Sequence, residues 1–174
     1  MMPLSSFMIL SMVLFAVSGL LHGWYKEFLG MVSVFVAVFV LVLAEKYVGI
    51  LAYWASDPAH VKTMFFVRAG VFGVLVFFGY QTPRWASSKR AVGGLQSGLL
   101  GAVLGAVNGY LIMGMLWHFM DIAKYPWPQF IAPPLPNDVL TQQMLHYLPS
   151  VFLTVPGVYI AVAVVVVFLI VVFV

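Results

Sequence analysis

Eight Lys or Arg and five Asp or Glu are all the formal charge in 174 residues. An ionisable or strongly polar group inside an apolar run is costly there, which makes each one a place to look for chemistry. Glu27 follows Lys26 at the start of a long apolar stretch, where a helix N-terminus favours a carboxylate, and it reads as an interfacial cap that could line a polar site with His22. Arg68 lies about a turn and a half inside another stretch, and Glu45, at the end of the preceding one, is its natural partner for a structural ion pair. His118 and Asp121 stand at i and i+3 on one helical face, the spacing at which a metal site can begin, although a closed site takes four ligands and no further close partner is evident. A His at span depth can also ligate haem iron or chlorophyll magnesium. His22 and His118 fall on opposite sides, so each would serve a pigment singly and never as one bis-histidine pair. Asn108 is an amide near mid-span, expected to donate to a neighbouring helix with Ser11 or Ser33 accepting.

These residues are held in a chain that water cannot solvate as a globule. The composition is 64% apolar and only 7% charged, against about a quarter charged in a soluble domain, and the mean hydropathy is +1.09. Soluble enzymes, disordered chains, coiled coils and nucleic-acid readers are excluded on this ground. The net charge of +3 concerns orientation in the bilayer and anionic lipid. With no cysteine there is no disulfide and no thiolate or iron-sulfur chemistry.

A hydrocarbon core about 30 Å thick needs roughly 20 apolar residues in helical form. Five stretches meet this: residues 4–21, 28–44, 63–80, a span near 98–117 within the uncharged run 91–120, and 158–174. Ala16, Val17 and Ser18 faintly resemble a cleavage site, but no basic residue precedes the first apolar run, which therefore reads as a retained helix. Gly93 and Gly94 read as an interfacial lead-in to the fourth span. The last stretch is rich in Val, yet a lone strand leaves its backbone unpaired in lipid, so helix is expected. Residues 121–156 form the one long connection. Its prolines, Pro126, Pro128, Pro133, Pro134 and Pro136, forbid helix, and Asn137 with Asp138 then caps a short amphipathic segment expected to lie flat on the membrane. That segment places Val139, Leu140, Met144, Tyr147 and Leu148 on one side and Thr141, Gln142 and Gln143 on the other. The organisation expected is thus a four-helix region over 1–120, a Pro/Trp-rich outer loop with its interfacial helix over 121–156, and a terminal span over 157–174. Lys26, Arg84, Lys89 and Arg90 lie in short connections, which the positive-inside bias places in the cytoplasm, with the N-terminus and the Pro-rich loop outside. Trp24, Tyr80 and Trp85 would mark one interface and Tyr47, Trp54, Trp117 and Trp127 the other.

Gly98, Gly101, Gly105 and Gly109 recur along one face of the fourth span, with Ala102 and Ala106 widening the strip. Such a face lets a second backbone approach closely, and packing within the chain is the favoured use. Two elements carry a family resemblance. The run Gly19, His22, Gly23 and Glu27 resembles the Gly-x-x-Arg-Gly-x-x-x-Glu element of the bacterial colicin V production protein family. The run Gly98, Gly101, Gly105 and Gly109 resembles that family's Asp-Arg-x-Leu-Gly-x-x-x-Gly-x-x-Arg-Gly element. The glycine spacing matches in both, over roughly residues 4–120. This chain has His22 where the family has Arg, Ser97-Gly98 where it has Asp-Arg, and Asn108 in place of the later Arg, while Glu27 is kept. The resemblance implies the fold of an inner-membrane protein linked to toxin production and envelope physiology, with no assigned reaction.

The expectation is therefore an all-α, polytopic membrane helix bundle of about five spans. No Ser/His/Asp arrangement, paired carboxylate cleft or phosphate-cradling loop is found, so a non-catalytic role is expected: an accessory subunit of a larger membrane assembly, respiratory or photosynthetic among the candidates. Its partners would be the lipid bilayer and other integral membrane subunits, and no nucleic acid. No cofactor is required by this reading, with a chlorophyll or haem contact at a lone His as a further one. A small transporter or channel around Glu27, His22 and Asn108 is the alternative.

Overall fold

The computed structural model of the protein describes residues 4–81, 95–129, 131, 133–135 and 138–173, and not the side chains of 169 and 171–173. Arg84, Trp85, Lys89 and Arg90, Gly93 and Gly94, and Pro136 and Asn137, to which orientation, an interface, a lead-in and part of a cap were assigned above, lie outside the described residues. Among the described residues the secondary structure is helical, without a strand. It comprises α1 (Leu4–His22), α2 (Trp24–Tyr47), α3 (Gly49–Ser56), α4 (Val61–Tyr80), α5 (Leu95–Ile122), α6 (Val139–His146) and α7 (Gly157–Phe173), with short 3-10 turns at Pro58–His60 and Pro149–Val151. Four of these, with Pro58–His60 continuing into α4, are long and apolar enough to cross a membrane. Alpha-helix 7, at 17 residues, is shorter but apolar throughout.

The break between α1 and α2 is a single residue. Gly23 has φ of 81°, a left-handed setting that costs a side chain but not glycine, and its N–H still reaches the Gly19 carbonyl at 2.8 Å. The chain thus reverses within one residue and α2 returns beside α1. Between α2 and α4 the sequence reading had only a connection. The structure builds α3 there, ended by Asp57, whose side chain accepts from the Ala59 N–H at 2.9 Å and starts the next turn.

Two seams set the packing. On α5, Gly101 meets the backbone of Gly19 and Gly23, Gly105 meets Phe15, and Gly109 meets Ser11 and Met12, so α1 and α5 run antiparallel with backbones in contact. Ser11 Oγ adds a bond to the Gly109 carbonyl at 3.2 Å. The second seam joins α2 to α4, where Gly30 lies under the Tyr80 ring and Gly79 lies against Ser33. Such approaches gain van der Waals contact, which lipid tails of equal apolarity would not otherwise reward. The main core forms where α2, α4, α5 and α7 converge, around Val34, Val38, Phe72, Leu111, Phe119 and Val158. Alpha-helix 7 lies along α2 through Phe28 with Phe168 and Phe39 with Tyr159.

The connection after α5 folds back on the bundle. Trp117 is buried with Leu4, Met8, Tyr125 and Leu148, and its indole N–H donates to the Tyr125 hydroxyl at 3.0 Å. Burial pushes the Tyr125 phenol up to about 12. Asp138 caps α6, accepting from the Thr141 amide at 3.1 Å and hydroxyl at 2.6 Å, which hold its carboxyl below the ordinary value of 3.8. The face of α6 differs from the sequence expectation. Thr141 is turned inward onto Ser5 Oγ at 2.9 Å and Val139, Leu140 and Tyr147 are exposed, while Met144 and Leu148 of the expected apolar side do pack around Trp117. The hydroxyl pair thus shares the inward face with part of the apolar stripe, and lipid can solvate the rest of it equally well.

The α1–α5 seam makes a mutational contrast. Gly105→Leu should cost at least about 1–3 kcal/mol by overpacking against the Phe15 backbone, whose carbonyl carbon a Cβ would approach to 2.8 Å. Gly70→Leu, with nothing within 4 Å of its added carbon, should be near neutral. Detergent-denaturation curves of the two variants check this.

Candidate functional site

The second seam and the glycine face together close a polar cluster at the α1–α2 reversal. Glu27 is the fourth residue of α2 and has no exposed surface, so it is not the interfacial cap expected from its position. The close approach of α1 and α5 draws it inside, with its chain packed toward Gly19. Its Oε2 accepts from the Tyr80 hydroxyl at 3.0 Å and from Asn108 Nδ2 at 2.9 Å. The same amide nitrogen donates to the Glu27 backbone carbonyl at 2.7 Å, so both amide hydrogens are spent on one residue. Asn108 is likewise fully buried, and the expected acceptors Ser11 and Ser33 are not its partners. Those two hydroxyls bond the carbonyls of Met8, Gly109 and Gly30. Alpha-helices 2, 4 and 5 thus meet in a three-residue hub. Among the described residues Glu27 Oε1 and Asn108 Oδ1, both buried, have no hydrogen-bond partner.

Tyr80 had been read as an interface marker. Its role was legible only in the pairing of Gly30 with Gly79, two small residues that let α4 end beside the start of α2. Its ring also walls an apolar groove of about 380 Å³ between α1, α4 and α5, beside Phe15, Ser18 and Phe77. His22, the other expected polar group at this end, stays outside the hub. It is exposed and Nδ1 engages Ser18 of its own helix at 2.8 Å from the carbonyl oxygen.

The second polar centre lies at the other end of α2. Arg68 Nε and Nη2 reach the two Glu45 oxygens at 2.7 and 2.8 Å, a bidentate pair that joins α4 to α2. Such a fork fixes geometry as well as charge. The Arg68 side chain is 12% exposed and that of Glu45 27%. The pair forms part of the wall of a recess of about 190 Å³, with His118, Ser150 and Thr154 as its other polar groups. Asp121 makes no hydrogen bond to His118 among the described residues and accepts from the Tyr125 hydroxyl at 3.2 Å. The two residues expected to begin a metal site therefore face different neighbours, and among the described residues no cluster of three His, Cys, Asp or Glu is placed to hold a metal.

An apolar bundle with a reversal at Gly23, a buried carboxylate after it and a glycine strip on a later helix defines a class of polytopic membrane protein. The model of the colicin V production protein family matches residues 4–133, running past Met120 into the Pro/Trp connection. The chain belongs to that family. No curated protein and no solved structure matches it.

Two sets of variants test these bonds. Arg68→Leu should destabilise by roughly 3 kcal/mol because it strands Glu45, and Arg68→Leu with Glu45→Leu should recover most of it, read as a double-mutant cycle in detergent unfolding. In the hub, Tyr80→Phe should cost about 0.6 kcal/mol, and Asn108→Leu, which strips the carboxylate of an amide donor, about 1–3 kcal/mol. The reverse ranking would show that the amide is not the main support of Glu27.

Proposed function

We propose that this protein is a non-catalytic accessory subunit of a larger assembly in the bacterial inner membrane, with its N-terminus and Pro/Trp connection outside. One observation carries the reading: three charged side chains inside the described spans are engaged in bonds between helices, Glu27 through Oε2 with Tyr80 and Asn108, and Arg68 with Glu45. Catalysis needs groups presented to a substrate, whereas these groups tie helices to one another. The surface left to act on other molecules is apolar. On α1 alone, Leu10, Val13, Leu14 and Val17 are each more than half exposed, a face suited to lipid or to other membrane helices. Exposed Val151, Phe152 and Tyr147 supply a comparable face at the outer end.

The second reading is a small transporter, and Glu27 favours it, since a buried carboxylate at span depth is a natural station for an ion. Purification in a gentle detergent separates the two. The accessory reading expects the chain in a particle well above its 19.2 kDa plus detergent, with the same companion proteins after crosslinking. Migration alone, together with solute flux in liposomes that is lost in Glu27→Gln, would replace it with transport.

A further inference from the structure

The hub contains acceptors without enough donors. Tyr80 and Asn108 deliver their hydrogens to Glu27 Oε2 and to the Glu27 carbonyl, which leaves Glu27 Oε1 and Asn108 Oδ1 both buried and, among the described residues, both unpartnered. The amide orientation is not free to change, because exchanging nitrogen and oxygen would set Oδ1 against two acceptors. Each orphan oxygen belongs to a group bonded to the other through Nδ2 and Oε2, so the two share one small region.

An ionised carboxylate in this setting also needs a counter-charge. The described ion pairs are His60 with Asp57 and Arg68 with Glu45, and neither reaches Glu27. Of the groups on the elements packed around it, Tyr80 on α4 is a neutral donor and His22 on α1 is turned onto Ser18. Asn108 on α5 carries no charge, and Lys26 on α2 itself is not fully buried. A water molecule would supply hydrogens but no charge. Among the described residues no group supplies that charge, and a cation bound at the two free oxygens meets both demands.

We propose that Glu27 and Asn108 form a binding site for a single monovalent cation, a proton or a sodium ion, inside the helix bundle. Both are hard ions that take oxygen ligands, and the two orphan oxygens are the first of them. Tyr80 closes the site on the side of the apolar groove, and Gly19 packs against the Glu27 side chain on the side of α1. The site ties α2 to α5 whether or not the chain works within an assembly, so its test does not depend on partner subunits.

The experiment uses the full chain in detergent. Unfolding midpoints are measured in sodium chloride against choline chloride at equal ionic strength, and infrared spectra are recorded for the carbonyl stretch of a protonated carboxylic acid. A saturable rise in midpoint with sodium, lost in Glu27→Gln, identifies sodium. No sodium effect, with an acid carbonyl band present in the wild type and lost in Glu27→Gln, identifies the proton. Absence of both signals, or persistence of either in Glu27→Gln, overturns the proposal. If Glu27→Gln does not fold, Asn108→Ala serves instead. Loss of Oδ1 should raise the half-saturating sodium concentration or shift the acid band, and an unchanged value overturns the site.

Discussion

A bilayer interior offers little water to a polar group, so the carboxylate of Glu27 depends on donors that neighbouring helices bring to it. That requirement explains the rest of the half of the bundle that holds the α1–α2 reversal. Asn108 reaches Glu27 because α5 packs without side chains between its backbone and that of α1, at Gly101 and Gly105. Tyr80 reaches it because Gly30 makes room for the phenol ring. The glycines in these seams are the steric condition for three hydrogen bonds, and the hub in turn fixes how α2, α4 and α5 sit against each other.

The opposite half is held by a different bond. There α2 meets α4 through a charged fork, Glu45 with Arg68, which is partly open to its surroundings and sits beside a recess. Between the two centres the contacts are apolar, with Val34, Val38 and Leu41 of α2 against Phe72 of α4 and Leu111 of α5. Directional bonds at both ends set register and rotation, and the non-directional middle fills the volume between them.

The spans were legible because lipid imposes a length and an apolar run that are written plainly in residues 4–47 and 61–80. The Glu45 and Arg68 pairing was legible because a charge inside a span has few partners within reach, and the glycine strip because its four-residue period is a face. The fate of Glu27 was not legible. Its place near a helix start argues for an interface, and only the depth of the α1–α5 contact, a property of the assembled bundle, draws it inside. Thr141 was misassigned for a related reason. In water an apolar stripe must turn inward, but beside lipid part of it need not, and the Ser5 hydroxyl across the contact holds Thr141 on the inward face. Alpha-helix 3 was missed because Gly49–Ser56 is too short for a periodic pattern to show.

Alpha-helix 2 carries an acidic residue near each end, Glu27 and Glu45, eighteen positions or about 27 Å apart along one continuous rod. Each acid is clamped to α4, one through Tyr80 and the other through Arg68. Two fasteners on the same pair of struts leave no free pivot, so a change of bonding at either membrane face must be felt as torque at the opposite one.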